Sequence, residues 1–202
     1  MDIFGDHAVS CGKSGFGDRH LGTQSFFCQV LTQARIPHDR EVDVAGNGRR
    51  PADVLLRAWD GRRDLAVDLT IVHPNPATGR PLRGSAATFL KDKGEQKNRE
   101  SADSCGRMGV DFSPMVFDTW GGLHGAGKEV VKAVFARCTA SLLPGARPAA
   151  VGALRQGLAV QLGRSVARQL EALMMVSTET PAWWAAALPA TPAYTAAGNP
   201  QW

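Results

Sequence analysis

The chain has little cysteine: four in 202 residues, at positions 11, 28, 105 and 138, with no Cys-x-x-C pair among them. That argues against a disulfide scaffold and for a reducing compartment. No apolar run reaches the roughly 18 residues of a membrane span. The opening MDIFGDHAVSCGKSG lacks a basic n-region followed by an apolar stretch, so no signal peptide is read. There is no internal repeat. Charge of either sign is also modest: 23 Lys+Arg against 19 Asp+Glu, a net +4, which permits nucleic-acid binding without requiring it. The 44% hydrophobic content excludes a wholly disordered or collagen-like chain. The length suits one domain, or one domain and a tail.

The periodicity places the elements. Residues 19–35 read as a helix with an apolar stripe through Leu21, Phe26 or Phe27, Val30 and Leu31, weakened at Gly22 and ended by Pro37. REVDV (40–44) alternates as a short strand, and AGNGRRP (45–51) is a turn-rich link. ADVLLRAW (52–59) and DLAVDLTIV (64–72) read as two strands joined at Asp60-Gly61, a hairpin signal. A Pro/Gly loop (73–85) leads to a helix over 86–108, interrupted or weakened at Gly94. VDFSPMVFDT (110–119) is a strand that Pro114 assigns to a sheet edge. Helices over about 127–143 and 147–176 follow. The second carries Val151, Leu154, Leu158, Leu162, Val166, Leu170 and Leu173 at helical spacing. Residues 177–202, rich in Ala, Pro and Thr, read as a disordered tail, with Trp183 and Trp184 as candidates to dock on the body.

The hairpin carries the chemistry. A two-residue turn makes facing residues sum to 121, so Val54 meets Val67 and Leu56 meets Leu65 on an apolar face. On the other face Arg57 meets Asp64, Leu55 meets Ala66, and Asp53 meets Asp68. Two carboxylates with Cβ atoms roughly 4.5–5.5 Å apart repel, and a divalent cation would offset the repulsion. The competing account makes Asp53 a strand-end cap and pairs Asp68 with Arg49 or Arg50. A lysine would complete a metal site by orienting water and stabilising developing charge. Lys97 shares the inward face of its helix with Leu90, Ser101 and Cys105, whereas Lys91 and Lys93 read as surface charges. Glu41, on the preceding strand, is a candidate third acid. His20 could contact phosphate or support the metal. His73 reads as a loop residue with a possible phosphate contact. Asp118 is expected to fix the Trp120-Gly121-Gly122 turn. Arg164 and Arg168, four apart, make a basic face that could touch DNA backbone.

Together, GDHAVSC (5–11), Arg19-His20, RRPADVLL (49–56), LAVDLTIVHP (65–74), the Lys97 helix ending SADSCGRMG (101–109) and FSPMVFDTWGGL (112–123) resemble the restriction-like, PD-(D/E)xK-type endonuclease domain of non-LTR retrotransposon polyproteins. The resemblance covers roughly residues 5–175 and rests on the order and spacing of the segments. It implies an α/β fold with a central mixed sheet flanked by helices and followed by C-terminal helices. It implies a stub at 1–18, a nuclease-like domain at 19–176 and a tail at 177–202. It also implies Mg²⁺-dependent (or Mn²⁺-dependent) nicking of DNA. Asp53 and Asp68 match the metal ligands. Lys97 matches the lysine that this family takes from the following helix, Thr70 standing where standard enzymes carry it. Arg19 and His20 match the start of an Arg-His-Asn signature, with Leu21 in place of the Asn. Ser101 stands at a frequent Tyr position. His7 and Cys11 match half of a zinc knuckle whose first Cys pair is not in the chain, so zinc is not expected. The implied partners are DNA and, in a parent element, a reverse transcriptase domain and element RNA, with action inside the cell, in the nucleus. Two competing accounts are an inactive remnant that binds nucleic acid weakly, and an unrelated α/β interaction module with structural aspartates.

Overall fold

The computed structural model describes residues 16–46, 48, 52–74 and 84–176. The elements are α1 (Phe16–Gln33), β1 (His38–Val42), β2 (Ala52–Leu56), β3 (Leu65–Val72), α2 (Ala86–Arg107), β4 (Asp111–Asp118), α3 (Gly125–Thr139), a 3-10 turn (Pro144–Ala146) and α4 (Arg147–Val176). The fold is α/β. One four-stranded mixed sheet, ordered β1-β2-β3-β4, is antiparallel across its first two pairs and parallel across β3 and β4. Helices cover it, and none of the described helices is long and apolar enough to cross a membrane. His7, Cys11, Trp183 and Trp184 lie outside the described residues, as do Arg49 and Arg50.

Strand alternation divides the sheet. Val54, Leu56, Leu65, Val67, Leu69, Met115 and Phe117 face one way and pack with Phe27, Val30 and Leu31 of α1, Val130, Val134 and Phe135 of α3, and Leu162 of α4. On the opposite face Leu55 and Ala66 pack with Cys105 of α2. This is the smaller cluster, and it leaves room for polar groups on the same face. Asp68 alternates onto that face between Ala66 and Thr70.

The register agrees with the hydrophobic pattern: Val54 pairs Val67, Leu55 pairs Ala66 and Leu56 pairs Leu65. The connection is wider than a two-residue turn. β2 stops at Leu56, because Ala58 adopts a left-handed φ of 45° and its N–H goes to Asp64 Oδ1 at 2.8 Å. Asp60 Oδ1 accepts the N–H groups of Arg62 and Arg63. The Arg57–Asp64 ion pair forms at 2.7 Å, and Asp39 joins it at 2.6 Å. β4 is an edge strand, as Pro114 requires. Asp118 Oδ1 accepts from Trp120 N at 2.9 Å and Gly122 N at 2.7 Å, fixing the turn after β4.

Other boundaries move. The first helix begins at Phe16, inside the expected stub, and Arg35 at φ 53° ends it before Pro37. β1 runs two residues earlier than REVDV. The third helix of the chain, α3, is shorter than read, closing at Thr139. On α4, Ser165 and Gln169 are buried while Val166 and Leu170 are half-exposed, so the expected stripe rotates along its second half.

Gly94 does not interrupt α2; it is a packing position. A Cβ there would lie 2.6 Å from His124 Cε1 and 2.7 Å from its Nδ1. Gly94→Ala is expected to destabilise the fold despite alanine's better helix propensity, about 1 kcal/mol. Overpacking costs about 1–3 kcal/mol, and the neighbour is a rigid ring. A melting curve should show a drop of a few degrees, at about 2–4 °C per kcal/mol for a chain of this size.

Candidate metal and phosphodiester site

Asp53 opens β2 and is the junction of the site. Its Oδ2 accepts the N–H of Leu69 on β3 at 2.6 Å, which locks the carboxylate across the two strands. Its Oδ1 lies 3.4 Å from His20 Nε2. His20 reaches it from α1, where the next-door Arg19, only 1% exposed, donates Nη2 to Ile71 O at 3.2 Å. That bond ties the start of α1 to the far end of β3. Burial lowers the Arg19 guanidinium to about 10, still cationic at neutral pH. The hydrogen bond to Asp53 raises His20 above the usual imidazole range against the opposing effect of burial; the charges of Asp53, Glu41 and Asp68 add to it.

Asp68 lies beside Asp53 on β3. Burial pushes its carboxyl up to about 6, the Lys97 ammonium opposes that, and the neighbouring Asp53 adds to it by charge and by a hydrogen bond between the carboxyls. Lys97 Nζ sits 3.0 Å from Asp68 Oδ2. Lys97 is placed by its helix. Leu90 and Cys105 seat the inward face of α2, Gly94 allows close contact with His124, and Ser85 caps the N-terminus by accepting Thr88 N–H at 3.2 Å. The two carboxylates therefore do not point apart, and the lysine stands with them. The partner of Asp68 is Lys97.

Glu41 joins the same cluster through an irregular backbone. It has a left-handed φ of 53°. The β1–β2 ladder pairs Arg40 with Val54 and Val42 with Ala52 but skips the position where Glu41 would meet Asp53. His20, Glu41 and Asp53 each offer one ligand atom, and all three atoms lie within 4.8 Å of one another. These residues can hold a metal ion. Asp68 lies outside this group and is held by Lys97, so the convergent set differs from the Asp53–Asp68 pair drawn from the strand register alone. An open cleft of about 230 Å³, lined by Arg19, His20, Leu69, Thr70 and Ile71, gives access beside it.

One residue was not legible as a site member. Gln24, fully buried, donates Nε2 to Glu41 Oε1 at 2.6 Å and to the Asp53 carbonyl at 2.8 Å. Its position one helical turn after His20 is the signal that could have found it, since residues four apart share a helix face. His73, at the end of β3, is buried. It is 9% exposed, its Nδ1 lies 2.7 Å from Thr119 Oγ1, and its ring stands edge-on to Trp120 at 5.2 Å. It ties the ends of β3 and β4 together. Cys28 and Cys105 are buried free thiols, and Cys138 is half-buried and free.

No family model matches the chain, and no curated protein matches it.

Proposed function

We propose that this chain is a divalent-metal-dependent DNA endonuclease domain of retrotransposon type, hydrolysing a phosphodiester to nick DNA. The observation that carries the proposal is the convergence of side chains from five different elements: His20, Glu41 and Asp53 form one ligand group, and Asp68, paired with Lys97, stands beside Asp53. Like-charged carboxylates in contact at a partly buried site are costly for a fold and useful to a metal. The resemblance in motif order independently selects the same aspartates and the same lysine.

The donors suit the cofactor. Carboxylate oxygens fit Mg²⁺, and the imidazole at the same point widens the choice to Mn²⁺. A bound Mg²⁺ or Mn²⁺ would polarise the phosphodiester and acidify a bound water. The chain's own groups do the rest. Asp53 is held by the Leu69 N–H, so little reorganisation is needed when a cation arrives. Lys97 balances Asp68 and offers a cation to charge developing on phosphate oxygens. Arg19 ties the start of α1, which carries His20, to the end of β3. On α4, Ser165 packs close to Gly22, two residues from His20, and the exposed Arg164 and Arg168 flank that contact. They offer phosphate contacts that would make DNA affinity fall with salt.

The test is conversion of supercoiled plasmid to open circles with Mg²⁺ or Mn²⁺, comparing wild type with Asp68→Ala and Lys97→Met. Wild type should nick, and both variants should lose on the order of 10²-fold or more of the rate. Equal activity in all three rejects the mechanism. No nicking in any, with DNA binding retained, identifies an inactive remnant, the account that Leu21 and Ser101 favour.

A further inference from the structure

Within that metal-dependent reading, we propose that Gln24 is a positioning residue that holds Glu41 in the ligand set, making Glu41 the third protein ligand to the divalent cation. The orientation of the Gln24 amide follows from its neighbours. Arg40 Nη2 lies 2.8 Å from Gln24 Oε1, and a guanidinium can only donate, so that atom is the oxygen. The amide nitrogen then faces two acceptors, Glu41 Oε1 and Asp53 O, and meets both. No flipped amide satisfies all three partners.

The arrangement solves two problems at once. Skipping the Glu41–Asp53 pairing removes a ladder bond, and the Gln24 amide supplies a donor to the Asp53 carbonyl that stands at that gap. Its second N–H pins the Glu41 carboxylate through one oxygen, on the side where His20 and Asp53 converge. A left-handed non-glycine residue is strained and persists only where its surroundings impose it. Here the surroundings are Gln24, itself buried on α1. Groups that orient a ligand in this way typically change metal affinity by about 10–100-fold when removed.

The experiment is Mn²⁺ titration of the DNA-free protein, followed by electron paramagnetic resonance of the free ion. Wild type is compared with Gln24→Met, Arg40→Met, Glu41→Gln and Asp53→Asn, and each variant is also melted in EDTA. Gln24→Met keeps the side-chain length and removes the amide. It should weaken Mn²⁺ binding about 10-fold or more, approaching Glu41→Gln, with a loss greater than any fall in melting temperature accounts for. Arg40 is exposed, so Arg40→Met should fold in any case and weaken binding by a smaller factor by freeing the amide to turn. If Asp53→Asn abolishes binding while Gln24→Met and Arg40→Met bind as wild type does, the positioning role is rejected and the metal reading stands. If Gln24→Met does not fold and Arg40→Met binds as wild type does, the role is rejected as well. If wild type itself takes up no Mn²⁺, the metal reading falls and the positioning role with it.

Discussion

Asp53→Asn is expected to fold, to lose tight divalent-cation binding, and to nick DNA on the order of 10³-fold more slowly, equivalent to several kcal/mol of transition-state stabilisation. The fold should survive because the anchoring contact needs only an acceptor. Leu69 N–H donates to Asp53 Oδ2 at 2.6 Å, and an asparagine carbonyl oxygen can take its place. Its NH₂ group then turns toward His20 and Asp68. The charge common to both halves of the site disappears. On one side it is the carboxylate shared with His20 and Glu41; on the other it is the neighbour of Asp68. A third readout separates this electrostatic effect from misfolding. The His20 imidazole is raised first of all by its hydrogen bond to Asp53, so its titration in the variant, followed by NMR, should move down toward the ordinary value of 6.5. A variant that keeps the raised His20 value and full nicking would remove Asp53 from the centre of the site.

Much of this arrangement follows from patterns that a linear reading can carry. The alternation of Val54, Leu56, Leu65 and Val67 fixes which face each residue takes, since a one-residue slip would turn all four toward the wrong face. That alternation puts Asp53 and Asp68 on one face for a two-residue or a four-residue connection. Asp60-Gly61 is a strong local signal for a two-residue turn, yet the connection is wider. The Asp64 carboxylate outweighs it by capturing the Ala58 N–H and ending β2 early. Lys97 was legible because its helix has an inward face marked by Leu90 and Cys105. Gly94 looked like a flaw in that helix because nothing local reveals the His124 ring it accommodates. Gln24 and the left-handed turn at Glu41 are harder still. A glutamine within a helix and a glutamate within a strand carry no period-breaking signal. Their meaning arises only when α1 is laid across the start of β2, a tertiary event that overrides strand propensity at Glu41.

Asp68→Asn should raise thermal stability at pH 8 while removing activity. The sign follows from the carboxyl's two environments. In the unfolded chain it titrates near the ordinary 3.8, and in the fold near about 6, chiefly because it is buried. Between those values the folded state binds the extra proton, so rising pH through that window costs stability, and above it the full cost is present. A shift of this size corresponds to a few kcal/mol, on the order of 1.4 per unit. That net cost already includes the opposing effect of Lys97, 3.0 Å from Asp68. Asparagine carries no charge to desolvate, and Lys97, with a side chain 31% exposed, can return toward water. The net gain in EDTA at pH 8 should be about 1–2 kcal/mol, or several degrees. It should shrink steadily below pH 6 and vanish near pH 4, where wild-type Asp68 is itself neutral. A structural ion pair predicts the reverse. If Asp68 were there to hold α2 through Lys97, its removal would lower the melting temperature at pH 8, with no gain to lose on acidification. Stability that improves when a carboxylate is neutralised, with nicking lost in the same variant, would mark a group kept charged for a ligand rather than for the fold.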